Sequence, residues 1–469
     1  MVSLTTLDLS GTNLQMLPPS VGNLVNLRGL YLRDCTSLRD LPSQVRLLLR
    51  LEVLDLGGTT VIKYLPREIG ELIGLKRLIV GFERRFHPDH LFIYTMGSNE
   101  DEEWDMNLRV PIGIISKLPL LEELGMYTFC CAEKDQWDDE SMVLVVDELC
   151  RLERLTYLDF YFPNADCLAH FLHESISWIT TRLRRFRFRV GPERTGGPLL
   201  HPKHEEWEGC LVYKGGDEIS HAAIIETLAH CSFLHLQDHR ATQKLSELGM
   251  ENMNELKICM IKDCHKIETL FDGDGEQEAR EIFRNLEKLA IANLSNLRRL
   301  WGGQLLPGSL SKLTHLELVF CHSHHFKMVF QLGMIQQVPT LESLAISFSS
   351  VEEIIGVEEE TSVPYHTHVS NNDNVISVIL PNIKLIFLIG LPELVSFCRG
   401  VSLEWPSLEY ISISDCPKLK SLSFLIHATN IVPPALKTIE APRSWLKALE
   451  WEDDDIKQQL RPLFEINTS

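Results

Sequence analysis

The chain has 469 residues, with 45 Lys and Arg against 65 Asp and Glu and a formal charge of -20. So acidic a surface lacks the cations that phosphate contacts demand, which excludes a general nucleic-acid binder. A content of 44% hydrophobic and 23% charged residues, with mean hydropathy near zero, is that of a folded protein in water.

No apolar run approaches the roughly 18 residues that a membrane span needs. The start, MVSLTTLDLS, lacks the basic and long apolar regions of a secretory leader. A cytoplasmic location is therefore expected. Twelve cysteines form no CxxC pair, so reduced thiols are expected. The two N-x-[ST] sequons, at Asn293 and Asn467, are close to a chance number and do not argue for secretion.

Taken in chain order, one motif recurs. LTTLDL starts at Leu4, LRGLYL at Leu27, LEVLDL at Leu51 and LKRLIV at Leu75, in steps of 23, 24 and 24 residues. It continues with looser spacing from Leu121, Leu155, Leu183, Cys231, Leu256, Leu286, Leu313, Leu341, Ile383, Leu408 and Leu436. In LxxLxL three apolar side chains point inward from a short strand and the intervening residues point outward. A second apolar set follows each strand, as in Cys35, Leu38 and Leu41 or Cys416, Leu419 and Leu422. One repeat buries too little to fold alone, so neighbours must stack. The period and motif are those of a leucine-rich repeat. The fold class is then α/β: a leucine-rich-repeat solenoid, a horseshoe of about fifteen irregular repeats. Its parallel strands line the concave face, and irregular or short helical segments line the convex side.

The spacing divides the chain into regular repeats at 1-80, an insertion at 81-120, and irregular repeats at 121-348 with an insertion at 190-225. An acidic and polar insertion at 349-380, repeats at 381-442 and a C-terminal cap at 443-469 follow. In the cap, Asp455 is placed to begin a short helix at Ile456, with Leu460 and Phe464 on its apolar side.

Outward strand positions supply the candidate contacts. RLRRFRFRV puts Leu183, Phe186 and Phe188 inward and Arg184, Arg185, Arg187 and Arg189 outward, the last two onto the concave face. In so acidic a chain this basic stripe suits an acidic partner, or an acidic surface of the same receptor. Tyr31, Arg33, Tyr127, Tyr157, Tyr161 and Phe387 are further candidates on that face. Packing against an insertion loop is the competing use of the aromatics. The recurring acids Asp8, Asp55, Asp159, Glu317 and Glu440 read as surface charge. CHSHH at 321–325 and HTH at 366–368 fit no standard metal spacing. No GxSxG or HExxH motif is present, so no catalytic residue, metal or cofactor is assigned.

A family resemblance rests on several stretches together. LSGTNLQMLPPSVGNLVNLRGLYLRDCTSLRDLPS at 9–43 resembles the repeat domain of plant nucleotide-binding leucine-rich-repeat disease-resistance proteins. So do SSVEEIIGVEEE at 349–360, LPNIKLIFLIGLPELVSFC at 380–398 and LEYISISDCPKLKSLSF at 408–424. APRSWLKALEWEDDDIKQQLRPLF at 441–464 is similar to the end of their coiled-coil class. Thr12, Cys35, Thr59, Cys264, Cys321 and Cys416 stand where secreted arrays usually place Asn, which fits a reducing compartment. The resemblance implies the non-catalytic sensing half of an intracellular immune receptor. Its partners would be a pathogen effector, or a host protein modified by one, and a nucleotide-binding switch that the repeats hold off. The chain itself has no GxxxxGK[ST] loop, so no nucleotide-binding residue is carried over. The first repeat, at Leu4, has no polar cap before it, so either an upstream domain or a partner is expected to cover its edge. A second reading is the substrate-recognition subunit of a ubiquitin ligase. That reading calls for an F-box-like segment ahead of the array, and none precedes Leu4.

Overall fold

A computed structural model describes residues 4–81, 110–127, 139–191, 209–216, 222–272, 281–302, 306–356, 376–422, 425, 432–451 and 454–467, apart from single positions at 60, 63, 307, 336 and 400. The chain divides into two compact units, Met1–Gly215 with His221–Thr227, and Gly216–Ser220 with Leu228–Ser469.

The first unit holds eight strands: β1 (Thr6–Asp8), β2 (Gly29–Tyr31), β3 (Val53–Gly57), β4 (Arg77–Gly81), β5 (Glu123–Tyr127), β6 (Tyr157–Phe162), β7 (Arg185–Val190) and β8 (Gly209–Lys214). Each pairs in parallel with the next. The register stacks identical motif positions. Leu30, Leu54, Leu78, Leu124, Leu158 and Phe186 form one inward column, all buried.

The return segments follow from the sequence LPxx[VI]. Pro18, Pro42 and Pro66 fix an extended backbone, and a 3-10 turn starts at the next residue. Each turn drops Val21, Val45 or Ile69 into the core. Further along, helices replace these turns: α1 (Asp139–Cys150), α2 (Ala165–Glu174) and α3 (Ile176–Ile179). Asn164 caps α2 by accepting the Cys167 N–H at 2.8 Å. Phenylalanines fill the core beneath them, with Phe160, Phe162, Phe171, Phe186 and Phe188 in ring contact.

Helix α4 (Ala222–Leu228) spans the change from one unit to the other. The second unit contains β9 (Phe233–Gln237), β10 (Ile258–Lys262), β11 (Thr269–Asp272), β12 (Lys288–Ala292), β13 (Arg299–Gly302), β14 (His315–Val319), β15 (Met328–Gln331) and β16 (Ser343–Ser347). Then come β17 (Glu353–Gly356), β18 (Ile376–Ile379), β19 (Leu385–Ile389), β20 (Ser396–Cys398), β21 (Val401–Glu404), β22 (Tyr410–Ser414), β23 (Thr438–Pro442) and β24 (Phe464–Asn467). The main ladder runs β9, β10, β12, β14, β16, β19, β22, β23, β24, all parallel. The return segments here are partly strands, and they build short parallel ladders of their own: β11–β13, β15–β17–β20 and β18–β21. Helices α5 (Leu332–Ile335), α6 (Arg443–Ala448) and α7 (Asp454–Leu460) complete the order.

Ten of the ladder strands end in a left-handed turn. Gly11, Asp34, Gly58, Asp238, Asp263, Asn293, Phe320, Phe348, Gly390 and Asp415 all have positive φ. This conformation costs an ordinary L-residue roughly 1–2 kcal/mol, which explains the glycines and the short polar side chains. In return the turn residue's N–H extends the ladder by one bond, as from Asp34 to the Gly57 carbonyl at 2.7 Å and from Gly390 to that of Ser414 at 2.8 Å. The next residue points inward and satisfies a carbonyl left over at the turn. Thr12 donates to Leu9, Thr59 to Leu56, and Cys35 donates across to Leu9 at 3.1 Å. Cys264 and Cys416 donate back to Lys262 and Ser414, both at 3.3 Å. A thiol does this while remaining a small apolar filler. Among the described residues all ten cysteines are buried and none is in a disulfide. Burial pushes the thiols of Cys259, Cys264 and Cys321 up to about 12.

The structure differs from the sequence reading at three places. The stretch 190-225 is not wholly a departure from the array, because β8 within it joins the ladder beside β7. Helix α7 begins at Asp454 and buries Ile456 and Leu460, but Phe464 has left the helix and opens β24. The return side of the second unit carries strands as well as helices. Among the described residues no helix is long and apolar enough to cross a membrane.

Candidate partner-binding face

Outward residues of the first unit line up in three columns set by the register. The first column is Val53, Arg77, Glu123, Tyr157 and Arg185. Directly opposed residues interact, as cross-strand pairs do. The Arg77 guanidinium meets Glu123 at 3.0 Å and lies 3.8 Å from Asp55. Arg185 reaches over β6 to the other Glu123 oxygen at 2.8 Å, and its guanidinium lies 5.5 Å from the Tyr157 ring centroid. The two pairs with Glu123 are part-exposed and contribute roughly 0–1 kcal/mol each. They fix side chains in place more than they stabilise the fold.

The middle column is Asp8, Tyr31, Asp55, Ile79, Gly125, Asp159, Arg187 and Cys210. Here the structure corrects the sequence reading. Arg187 and Arg189 do lie on the outward side of β7, but they are only 3% and 5% exposed. Both close on Asp159, which is 0% exposed, at 4.0 Å and 2.7 Å. The physical reason is the register: Asp159 stands opposite Arg187 and diagonal to Arg189, so both buried cations share one carboxylate. Asp55 and Glu317 are likewise buried rather than solvated surface charge. Opposite Arg187 on the far side sits Cys210; burial pushes its thiol up to about 12, and the Arg187 charge pulls the other way.

The remaining candidates sort by position. Arg184 and Arg185 are exposed, and Tyr31, Arg33 and Tyr157 are half-buried. The Tyr161 hydroxyl donates to the Gly191 carbonyl at 2.9 Å, so this ring serves the fold as well as the face. Tyr127 ends β5, and its side chain lies outside the described residues. Phe387 belongs to the second unit, in the middle column of His235, Met260, Ala290, Glu317, Ala345, Phe387, Ser412, Glu440 and Glu465. It packs 5.6 Å from the Tyr410 ring. Tyr410 donates to Glu440, and burial together with that bond raises its hydroxyl to about 12.

Sequence reading missed Glu148, a buried carboxylate of α1. It accepts the Gly113 and Ser116 N–H groups at 2.5 Å and 3.0 Å, tying the return turn at Ile115–Lys117 to the helix. Its place beside Val145 and Leu149 on the apolar stretch of α1 is the signal that could have shown it. Among the described residues no group of three His, Cys, Asp or Glu side chains could hold a metal. His366 and His368 lie outside them.

A family profile described as a leucine-rich repeat region matches residues 20–375. This chain belongs to the leucine-rich-repeat family. Disease resistance protein At4g27190 of Arabidopsis thaliana is 25% identical to the leucine-rich-repeat chain over 471 residues, 98% of this chain and 42% of that protein. Probable disease resistance protein At4g27220 of the same plant is 29% identical over 326 residues, 68% of this chain and 33% of that protein. The chain thus spans well under half the length of these relatives. The functional domain of InlJ from Listeria monocytogenes, a solved structure, is similar with a TM-score of 0.38 at 14% identity, over 84% of this chain and 70% of that one.

Proposed function

We propose that this leucine-rich-repeat array is the non-catalytic, protein-recognising domain of an intracellular plant immune receptor. In this reading it senses a pathogen effector, or a host protein that an effector has modified, and it restrains a nucleotide-binding switch until that partner arrives. The observation that carries the reading is the similarity of 98% of the chain to a plant disease resistance protein. The outer face supports it with exposed Arg184 and Arg185 and the half-buried Tyr31, Arg33 and Tyr157, side chains suited to protein contact. A partner can release the switch only by binding the released state more tightly than the held one.

The test exchanges this chain for the repeats of At4g27190 and expresses the chimera in leaf tissue. A chimera that stays quiet, beside a truncation without repeats that triggers defence, supports the restraint. A chimera as active as the truncation refutes it. For recognition, an identified effector is expected to lose affinity and salt sensitivity in R184E/R185E, because those charges lie at an exposed rim. An unchanged salt dependence removes this face from the contact.

A further inference from the structure

The strand-end turns of the second unit break their own rule at two consecutive repeats. Elsewhere the left-handed residue is Gly, Asp or Asn, whereas after β14 and β16 it is Phe320 and Phe348, with φ of 53° and 49°. The other bulky residues of this unit with positive φ, Phe283 and Leu310, are fully buried in the core. Neither the Phe320 nor the Phe348 ring is spent on the core. Phe320 is half-buried and Phe348 is 37% exposed. The two rings stack face to face, with centroids 4.9 Å apart and 15° between planes.

The next two turns complete the arrangement. Gly390 follows β19, and a Cβ there would come within 2.5 Å of the Phe348 ring, so the glycine is what lets that ring lie across the turn. Asp415 follows β22 and is exposed. Successive turns stand one strand spacing apart, about 4.8 Å. The row therefore reads aromatic, aromatic, bare backbone, carboxylate.

We propose that Phe320, Phe348, Gly390 and Asp415 form a docking point for an arginine side chain presented by a protein partner. The guanidinium plane stacks on the exposed part of the Phe348 ring, whose face is electron-rich, beyond Gly390 and away from Phe320. Its N–H groups then meet the Asp415 carboxylate, a pairing that a planar fork makes better than an ammonium does. Charge complementarity selects a cationic occupant, since the chain as a whole carries -20. The inference rests on the reading of the array as a partner-binding surface. It places a contact on the edge of the ladder, away from the outer face of the strands.

The test titrates the purified full chain with an acetylated and amidated Gly-Arg-Gly-Arg-Gly peptide, and with the same peptide carrying citrulline. The arginine peptide is expected to bind about fivefold more tightly. F348N places in the turn a residue type that other repeats already use, so this variant is expected to melt no lower than the parent while losing that preference. D415N is expected to lose it too, and D34N, at the corresponding turn of the first unit, to keep it. Equal binding of the two peptides overturns the proposal, as does an F348N variant that melts lower yet still prefers arginine, because the ring would then be packing alone. Loss of the preference in F348N with R184E/R185E unaffected separates this site from the outer face.

Discussion

Replacing Asp159 with alanine leaves the guanidiniums of Arg187 and Arg189 buried side by side without their carboxylate. At an effective dielectric constant of about 20, separations of 4.0 Å and 2.7 Å correspond to attractions of roughly 4 and 6 kcal/mol. Desolvating three ions costs several kcal/mol each, so the intact cluster is close to break-even. The imbalance appears when one member is removed: the attraction goes and the burial cost of the two cations stays. A loss of about 3–5 kcal/mol is expected. The assay is amide hydrogen exchange across β6 and β7, where that loss reads as roughly a hundredfold to several thousandfold faster exchange, since each 1.4 kcal/mol is a factor of ten. Adding R187M and R189M to the same chain should recover most of the loss, because apolar side chains of similar volume fill the space without charge. A D159A variant costing under about 1 kcal/mol, or a triple variant no better than D159A, refutes the reasoning.

Cys259 is buried, and its thiol is raised to about 12. The folded chain keeps the proton while the unfolded chain releases it from about pH 9, so stability is full below pH 9 and falls as pH rises towards 12. C259A should make urea-denaturation stability decline less steeply between pH 9 and 11, by up to about 1.4 kcal/mol per unit; identical slopes would show that this thiol does not take part. Gly191 has φ of 115°, and a Cβ there would lie 1.7 Å from the Lys214 carbonyl oxygen, whereas Gly11 has φ of 70° and open space around it. G11A should cost about 1 kcal/mol and G191A several times more, read as a drop in melting temperature; equal drops would mean that the β7–β8 approach relaxes freely. Ser177 is fully buried, donates to the Leu152 carbonyl and accepts the Leu155 N–H at 3.2 Å. S177A strands both backbone groups and should cost about 1–3 kcal/mol for each; a neutral effect in denaturant melts would contradict this.

The strands were readable from the sequence because a period of about 24 residues with three inward apolar positions suits few folds besides a stack of strand repeats. Every motif start, from Leu4 to Leu436, precedes a ladder strand. The ladder strands that escaped notice did so for identifiable reasons. In β8 the first inward position is Gly209, opposite Phe186, so the strand offers no leading leucine, and it follows a stretch rich in Gly, Pro and His. In β24 Phe464 sits four residues beyond Leu460, a spacing that helical periodicity also satisfies. The candidate face was readable only in phase. Alternation gave the outward side of Arg187 and Arg189, but their burial depends on Asp159, some thirty residues away and brought opposite by register. No local pattern encodes that pairing.

The register of the ladder bears on how such a surface drifts over generations. Inward leucines and strand-end turns decide the path of the backbone, so the exposed outward positions can be rewritten one at a time without disturbing a neighbour. Arg184 at the rim is a place of this kind. The cluster of Asp159, Arg187 and Arg189 is not. There a single exchange strands a charge, and only coordinated changes on two strands pass through. A lineage under pressure to meet new partners is thus channelled: the margins of the face vary freely, while the patch between β6 and β7 changes rarely and as a block.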